Sequence, residues 1–148
     1  FESAIKYLHQ ILEFEPENEQ VLYEIAFCHD VNDSLEDSIL FYNQFIDKQP
    51  YSYGAWFNLG SVYFKLERYD EALSAFEFAI AINENLSTAW FNKGNVLVEL
   101  GKFSEAIDAY MQTIEIEGPD GVIYCNIGSA YEKMGRMQEA RAYFKKAT

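Results

Sequence analysis

The chain has 148 residues, 49% hydrophobic and 17% aromatic, a single-domain length with apolar material enough for a packed core. Its 24 acidic against 11 basic residues give a formal net charge of −13, which disfavours nucleic acid, because phosphate binding draws on clustered Lys and Arg and the only such cluster is Arg136, Arg141, Lys145 and Lys146. No hydrophobic run approaches the roughly 20 residues of a membrane span.

In chain order, apolar residues recur at spacings of three and four, the signature of amphipathic helices. The spacing predicts helices at roughly 1–13, 19–32, 35–47, 53–66, 69–82, 87–100, 103–116, 121–134 and 137–148. Pro16, Pro50 and Pro119 all fall between predicted helices, as suits a residue that breaks helix interiors. Glu67-Arg68, Gly101-Lys102 and Gly135-Arg136 read as short turns joining helices into hairpins.

The helices come in copies. Trp56 and Trp90 are 34 residues apart, and the runs Trp56-Phe57-Asn58-Leu59-Gly60-Ser61-Val62-Tyr63 and Trp90-Phe91-Asn92-Lys93-Gly94-Asn95-Val96-Leu97 align, with Ala72 over Ala106 and Phe76 over Tyr110. The same step places Leu22 and Tyr124 under the tryptophans, Ala26 and Gly128 under the glycines, and Ser38 and Ala140 under the alanines. This pattern resembles the tetratricopeptide repeat, two antiparallel helices per copy. The resemblance implies an all-α solenoid of nine antiparallel helices in a right-handed superhelix. A single array over 1–148 would then hold the second half of a copy at 1–18, full copies at 19–52, 53–86 and 87–120, and a nearly complete one at 121–148. Because Phe1 falls inside a copy, the chain is expected to be a piece of something longer. Three positions depart from the pattern: Lys93 stands where other copies have Ile25, Leu59 and Ile127, Glu84 replaces the closing proline, and Gly118-Pro119 delays it by one residue.

Small residues should let paired helices touch: Gly60, Gly94, Gly128 and Ala26 from one side, Ala72, Ala106, Ala140, Ala4 and Ser38 from the other, with Tyr63, Phe76, Tyr110 and Phe144 filling the space between. The tryptophans and most of the aromatic stripe are expected in the core. Lys93 should lay its stem along a helix interface and carry its ammonium to solvent or an acid. Cys28 and Cys125 lie almost three copies apart, too far for a disulfide in a linear array. Neither begins a CxxC pair, and His9 and His29 lack metal-ligand spacing, so no metal or cofactor is expected. Cys28-His29 pairs a thiol with a base in sequence, yet consecutive helical residues point about 100° apart, which leaves core packing rather than catalysis.

In arrays of this family the first helix of each copy lines the concave side. Its non-core residues form columns: Tyr23, Phe57, Phe91 and Cys125, then Glu24, Asn58, Asn92 and Asn126, then Phe27, Ser61, Asn95 and Ser129, and last Asp30, Phe64, Val98 and Glu132. An amide side chain offers both a donor and an acceptor, so a row of asparagines can hold the peptide groups of an extended ligand whatever its side chains. The expected site is therefore a peptide-binding groove of Tyr23, Phe27, Phe57, Asn58, Ser61, Phe64, Phe91, Asn92, Asn95, Cys125, Asn126 and Ser129. Such a ladder resembles the substrate-gripping repeats of the O-linked N-acetylglucosamine transferases, although asparagine is also common at this column across the family. Co-chaperone members hold a C-terminal carboxylate with Lys and Arg in the groove columns; here those columns carry no base, which argues against that role. The leading expectation is a non-enzymatic protein-interaction scaffold binding an extended, neutral or basic peptide or protein partner. Two alternatives stand beside it: a self-association module acting through unfinished ends as a homo-oligomer, and the substrate-recruiting array of an enzyme whose catalytic domain lies elsewhere. Residues 1–50 hold 11 acidic residues against two lysines, a net −9, which reads as a solvated face or as a patch for a basic partner.

Overall fold

A computed structural model describes residues 1–148. The chain folds into nine α-helices and no strand: α1 (Glu2–Phe14), α2 (Glu19–Val31), α3 (Leu35–Lys48), α4 (Tyr53–Lys65), α5 (Tyr69–Ile82), α6 (Ser87–Glu99), α7 (Phe103–Glu117), α8 (Gly121–Lys133) and α9 (Met137–Lys146). Each boundary falls within two residues of the spacing-based expectation. The helices form two compact units, Phe1–Ile82 with α1 to α5 and Asn83–Thr148 with α6 to α9. Within the first, α2 pairs with α3 and α4 with α5; within the second, α6 pairs with α7 and α8 with α9.

Local chemistry fixes the helix ends. Asn18, Ser52 and Asp120 accept backbone N–H groups of the helices that follow them, satisfying donors the first turn leaves unpaired. Each hairpin turn is closed by one residue in the left-handed region, at Asp33 (φ 56°), Glu67 (φ 57°), Gly101 (φ 73°) and Gly135 (φ 75°), positions separated by the repeat length. Around Glu67, its own N–H reaches Phe64 O at 3.0 Å and Arg68 N–H reaches Tyr63 O at 2.9 Å, and the other three turns repeat these bonds. Only two of the four have the glycine that this conformation favours.

The seams follow the small-against-large rule. A Cβ on Gly60 would lie 2.9 Å from the Phe76 ring, one on Gly94 2.5 Å from Tyr110, and one on Gly128 2.7 Å from Phe144. Ala72, Ala106 and Ala140 are fully buried. In the α2–α3 hairpin Ser38 takes the alanine position and its hydroxyl, also fully buried, donates to Ala26 O at 2.8 Å. Ala4, expected at a seam, is exposed, on the rim of an open depression between α1 and α2.

The tryptophans also differ from expectation. Trp56 and Trp90 are half-buried rather than core, and each indole N–H donates to the carbonyl six residues earlier, Trp56 to Pro50 O at 2.9 Å and Trp90 to Glu84 O at 2.8 Å. The indole N–H needs a partner, and the junction carbonyl supplies one where full burial would not. Lys93 is half-buried, as its apolar column implied, with its ammonium 5.4 Å from the centre of the Trp90 ring. Cys28 packs against the cluster of Leu8, Val21 and Ile25, and both cysteines are free thiols. No helix is long and apolar enough to cross a membrane.

Candidate peptide-binding face

The first helices α2 and α4 carry the groove residues of the first unit. Tyr23 and Asn58 meet side chain to side chain: Asn58 Nδ2 donates to Tyr23 Oη at 2.7 Å. The Tyr23 ring stands edge-on to Phe45 at 5.1 Å and to Tyr42 at 5.7 Å, so packing against two rings holds the hydroxyl in place. Burial raises the Tyr23 pKa, and the Asn58 bond opposes that shift. Tyr42 is fully buried and its hydroxyl has no well-formed hydrogen bond. Its pKa is raised by burial first and then by the neighbouring Tyr23; the Asn58 amide, committed to Tyr23, lies near enough to offset a little of this.

Other polar atoms of this unit's face are also engaged. Ser61 Oγ donates to Phe57 O of its own helix at 3.1 Å. Phe57 leans on Phe76 at 5.7 Å, and Phe64 stands edge-on to Tyr69 at 5.7 Å. Phe27 is 48% exposed and, with Tyr7, Leu8, Tyr23 and Cys28, borders an apolar depression of about 400 Å³ between α1 and α2.

In the second unit the corresponding residues sit on α6 and α8. Phe91 leans on Tyr110 at 5.8 Å. Asn95 Oδ1 accepts the Tyr110 hydroxyl at 2.8 Å, and burial, with a smaller contribution from Glu99, pushes that hydroxyl's pKa up to about 12. Asn92 and Asn126, one repeat apart, are half-buried, and their side chains make no hydrogen bond within the chain. Cys125 and Ser129 are exposed beside Asn126.

The asparagine column therefore divides by chemistry. Asn58 gives an amide N–H to Tyr23, whereas Asn92 and Asn126 keep all their donors and acceptors available. The difference had one signal in the sequence: the first-column residue one copy before Asn58 is Tyr23, which brings a hydroxyl, whereas Phe91, one copy before Asn126, brings none. Sequence reasoning also missed the indole-to-carbonyl bonds, whose signal was the fixed spacing of six from Pro50 to Trp56 and from Glu84 to Trp90.

Comparison with known proteins places this architecture. Residues 51–117 match a tetratricopeptide repeat model, and residues 122–148 match a second. Among solved structures, the chain is similar to two crystal structures of MamA, both 31% identical over 97% of this chain with a TM-score of 0.92, covering 84% and 78% of those chains. A MamA double mutant at 16% identity, covering 99% of this chain and 82% of that one with a TM-score of 0.91, shares the fold. No curated protein matches the sequence. With the period, the helix pairs and the close-packed glycines in place, these matches establish that the chain belongs to the tetratricopeptide repeat family, an all-α interaction-scaffold fold.

Proposed function

We propose that this protein is a non-catalytic scaffold that holds an extended segment of a partner protein against the faces of its first helices. The observation that carries this reading is the pair Asn92 and Asn126: half-buried amides at the same register of α6 and α8, with no partner in the chain. A half-buried amide is already partly stripped of water, so a peptide group offering one donor and one acceptor recovers what the fold leaves unmade. Phe91 beside them supplies apolar area. Asn58, bonded to Tyr23, acts instead as a brace between α2 and α4.

The test separates these roles. Partners captured on the wild-type protein are titrated against Asn92→Ala/Asn126→Ala and against Asn58→Ala. Each peptide hydrogen bond contributes roughly 0.5–1.5 kcal/mol, so the double variant should bind about tenfold more weakly or worse at unchanged stability. Asn58→Ala should chiefly lower stability. Unchanged affinity in the double variant removes the face from consideration.

A further inference from the structure

The repeat supplies an internal comparison at the junction that follows each closing position. In the second copy the six positions 50, 51, 56, 78, 81 and 82 hold Pro50, Tyr51, Trp56, Phe78, Ala81 and Ile82, an apolar set in which Phe78 stacks on Trp56 at 4.5 Å with an interplanar angle of 23°. One copy later the same positions hold Glu84, Asn85, Trp90, Gln112, Glu115 and Ile116, and these six line an open pocket of about 460 Å³ in the second unit. The tryptophan and the isoleucine are kept; the four residues around them have become two carboxylates and two amides. Gln112, in place of Phe78, leaves the indole without its aromatic cover.

The chain itself shows what this ring position accepts. In the fourth copy Lys146 occupies the Gln112 position and places its ammonium 4.6 Å from the centre of Tyr143 and 5.9 Å from that of Tyr124, the counterpart of Trp90. On Trp90 a cation is also present: Lys93 reaches the indole from a neighbouring depression of about 420 Å³ that it shares with Glu105 and Asp108. The Glu84–Glu115 pocket contains no base of its own. Its one contact between polar side chains is a long bond from Gln112 Nε2 to Glu115 Oε2 at 3.3 Å, and the Glu84 carbonyl is occupied by the Trp90 N–H.

We propose that Trp90, Ile116, Glu84, Glu115, Gln112 and Asn85 form a receptor pocket for an arginine side chain on a partner protein, separate from the asparagine face. The aliphatic stem lies along Ile116 and the indole, the planar guanidinium lies against the ring, and its N–H groups meet the two carboxylates and the amide oxygens. A neutral side chain leaves both carboxylates without a counter-charge.

The test uses the whole chain carrying Trp56→Phe, which leaves Trp90 as the sole tryptophan. The indole N–H resonance is followed while N-acetyl-Gly-Arg-Gly-amide is added, with the citrulline peptide, isosteric but uncharged, as the comparison. The arginine peptide should shift the Trp90 resonance saturably, and the citrulline peptide should bind at least tenfold more weakly. Glu84→Gln/Glu115→Gln should weaken the arginine response by tenfold or more, and Gln112→Phe, which restores the aromatic cover of the second copy, should abolish it. Asn92→Ala/Asn126→Ala should leave it unchanged, so failure of the asparagine face and failure of this pocket are read separately. Equal binding of the two peptides, or an arginine response that survives the Glu84/Glu115 and Gln112 variants, overturns the proposal.

Discussion

Replacing Gly94 with alanine tests whether close helix contact, rather than backbone freedom, dictates glycine at this column. The new methyl would sit 2.5, 2.7 and 3.0 Å from three atoms of the Tyr110 ring. Carbon atoms rest at roughly 3.5–4.0 Å, so the ring must withdraw by about 1 Å. Tyr110 has little room to do so, being 2% exposed and tied through its hydroxyl to Asn95 at 2.8 Å. Overpacking of this kind costs about 1–3 kcal/mol, and a strained hydroxyl bond adds about 0.5–1.5. Alanine returns about 1 kcal/mol as the better helix former, leaving a net loss of about 2. Urea denaturation should show a midpoint lowered by about 1 M, for a slope near 2 kcal/mol/M. Gly54→Ala is the control: nothing lies within 4 Å of its added methyl, so it should be neutral or stabilising. Tyr110→Leu should rescue part of the Gly94→Ala loss, because it removes the ring atoms that collide. A Gly94→Ala protein as stable as wild type would refute the close-contact explanation.

Other outcomes follow from particular residues. Glu67→Gly should raise stability by about 0.5–1 kcal/mol, since the left-handed backbone costs a side chain about 1–2 and glycine's extra unfolded-state freedom returns only part; an unchanged or lower thermal midpoint would show that Glu67 gains elsewhere. His29 is nearly buried and both ring nitrogens lack hydrogen bonds, and burial, partly countered by Asp37, lowers its pKa. The unfolded chain therefore binds the proton more readily, so stability should be full above the unfolded value of about 6.5 and fall as pH drops below it toward the lower folded value. His29→Gln should lose less stability than wild type between pH 7.5 and 5.5, and parallel losses would refute this. Asn58→Ala should lower the melting temperature more than Asn92→Ala, because only Asn58 is bonded within the fold.

The helices were legible because their determinants are local and periodic: a buried face every three or four residues and a turn residue every 34 set the boundaries before any contact is known. The close glycine contacts were legible for the same reason. The division of the asparagine column was not, because whether an amide is spent depends on the rotamer of a residue 35 positions away, and that rotamer is set by Phe45 and Tyr42 around Tyr23. The tryptophans were misplaced because hydrophobicity alone sends them to the core, whereas the indole N–H requires a carbonyl and finds it at the junction. The pocket at Trp90 needed both levels, the substitutions at six repeat positions and the knowledge that those six positions converge.

The indole-to-carbonyl bonds also bear on how this chain tolerates changes of length. A bond that must span six residues, as from Pro50 O to Trp56 and from Glu84 O to Trp90, fixes the number of residues at that junction as firmly as a small ring fixes its members. One inserted residue would pull the donor off its acceptor. The junction before α8 has no such tether, because Tyr124 has no indole to donate, and it is there that the proline has moved to Pro119, behind a Gly118 at φ 95°. Insertions and deletions should accordingly be accepted between Gly118 and Asp120 and rejected between Glu84 and Leu86, so that loop-length drift, fusion points and engineered tags have one admissible junction in the second unit and one closed to them.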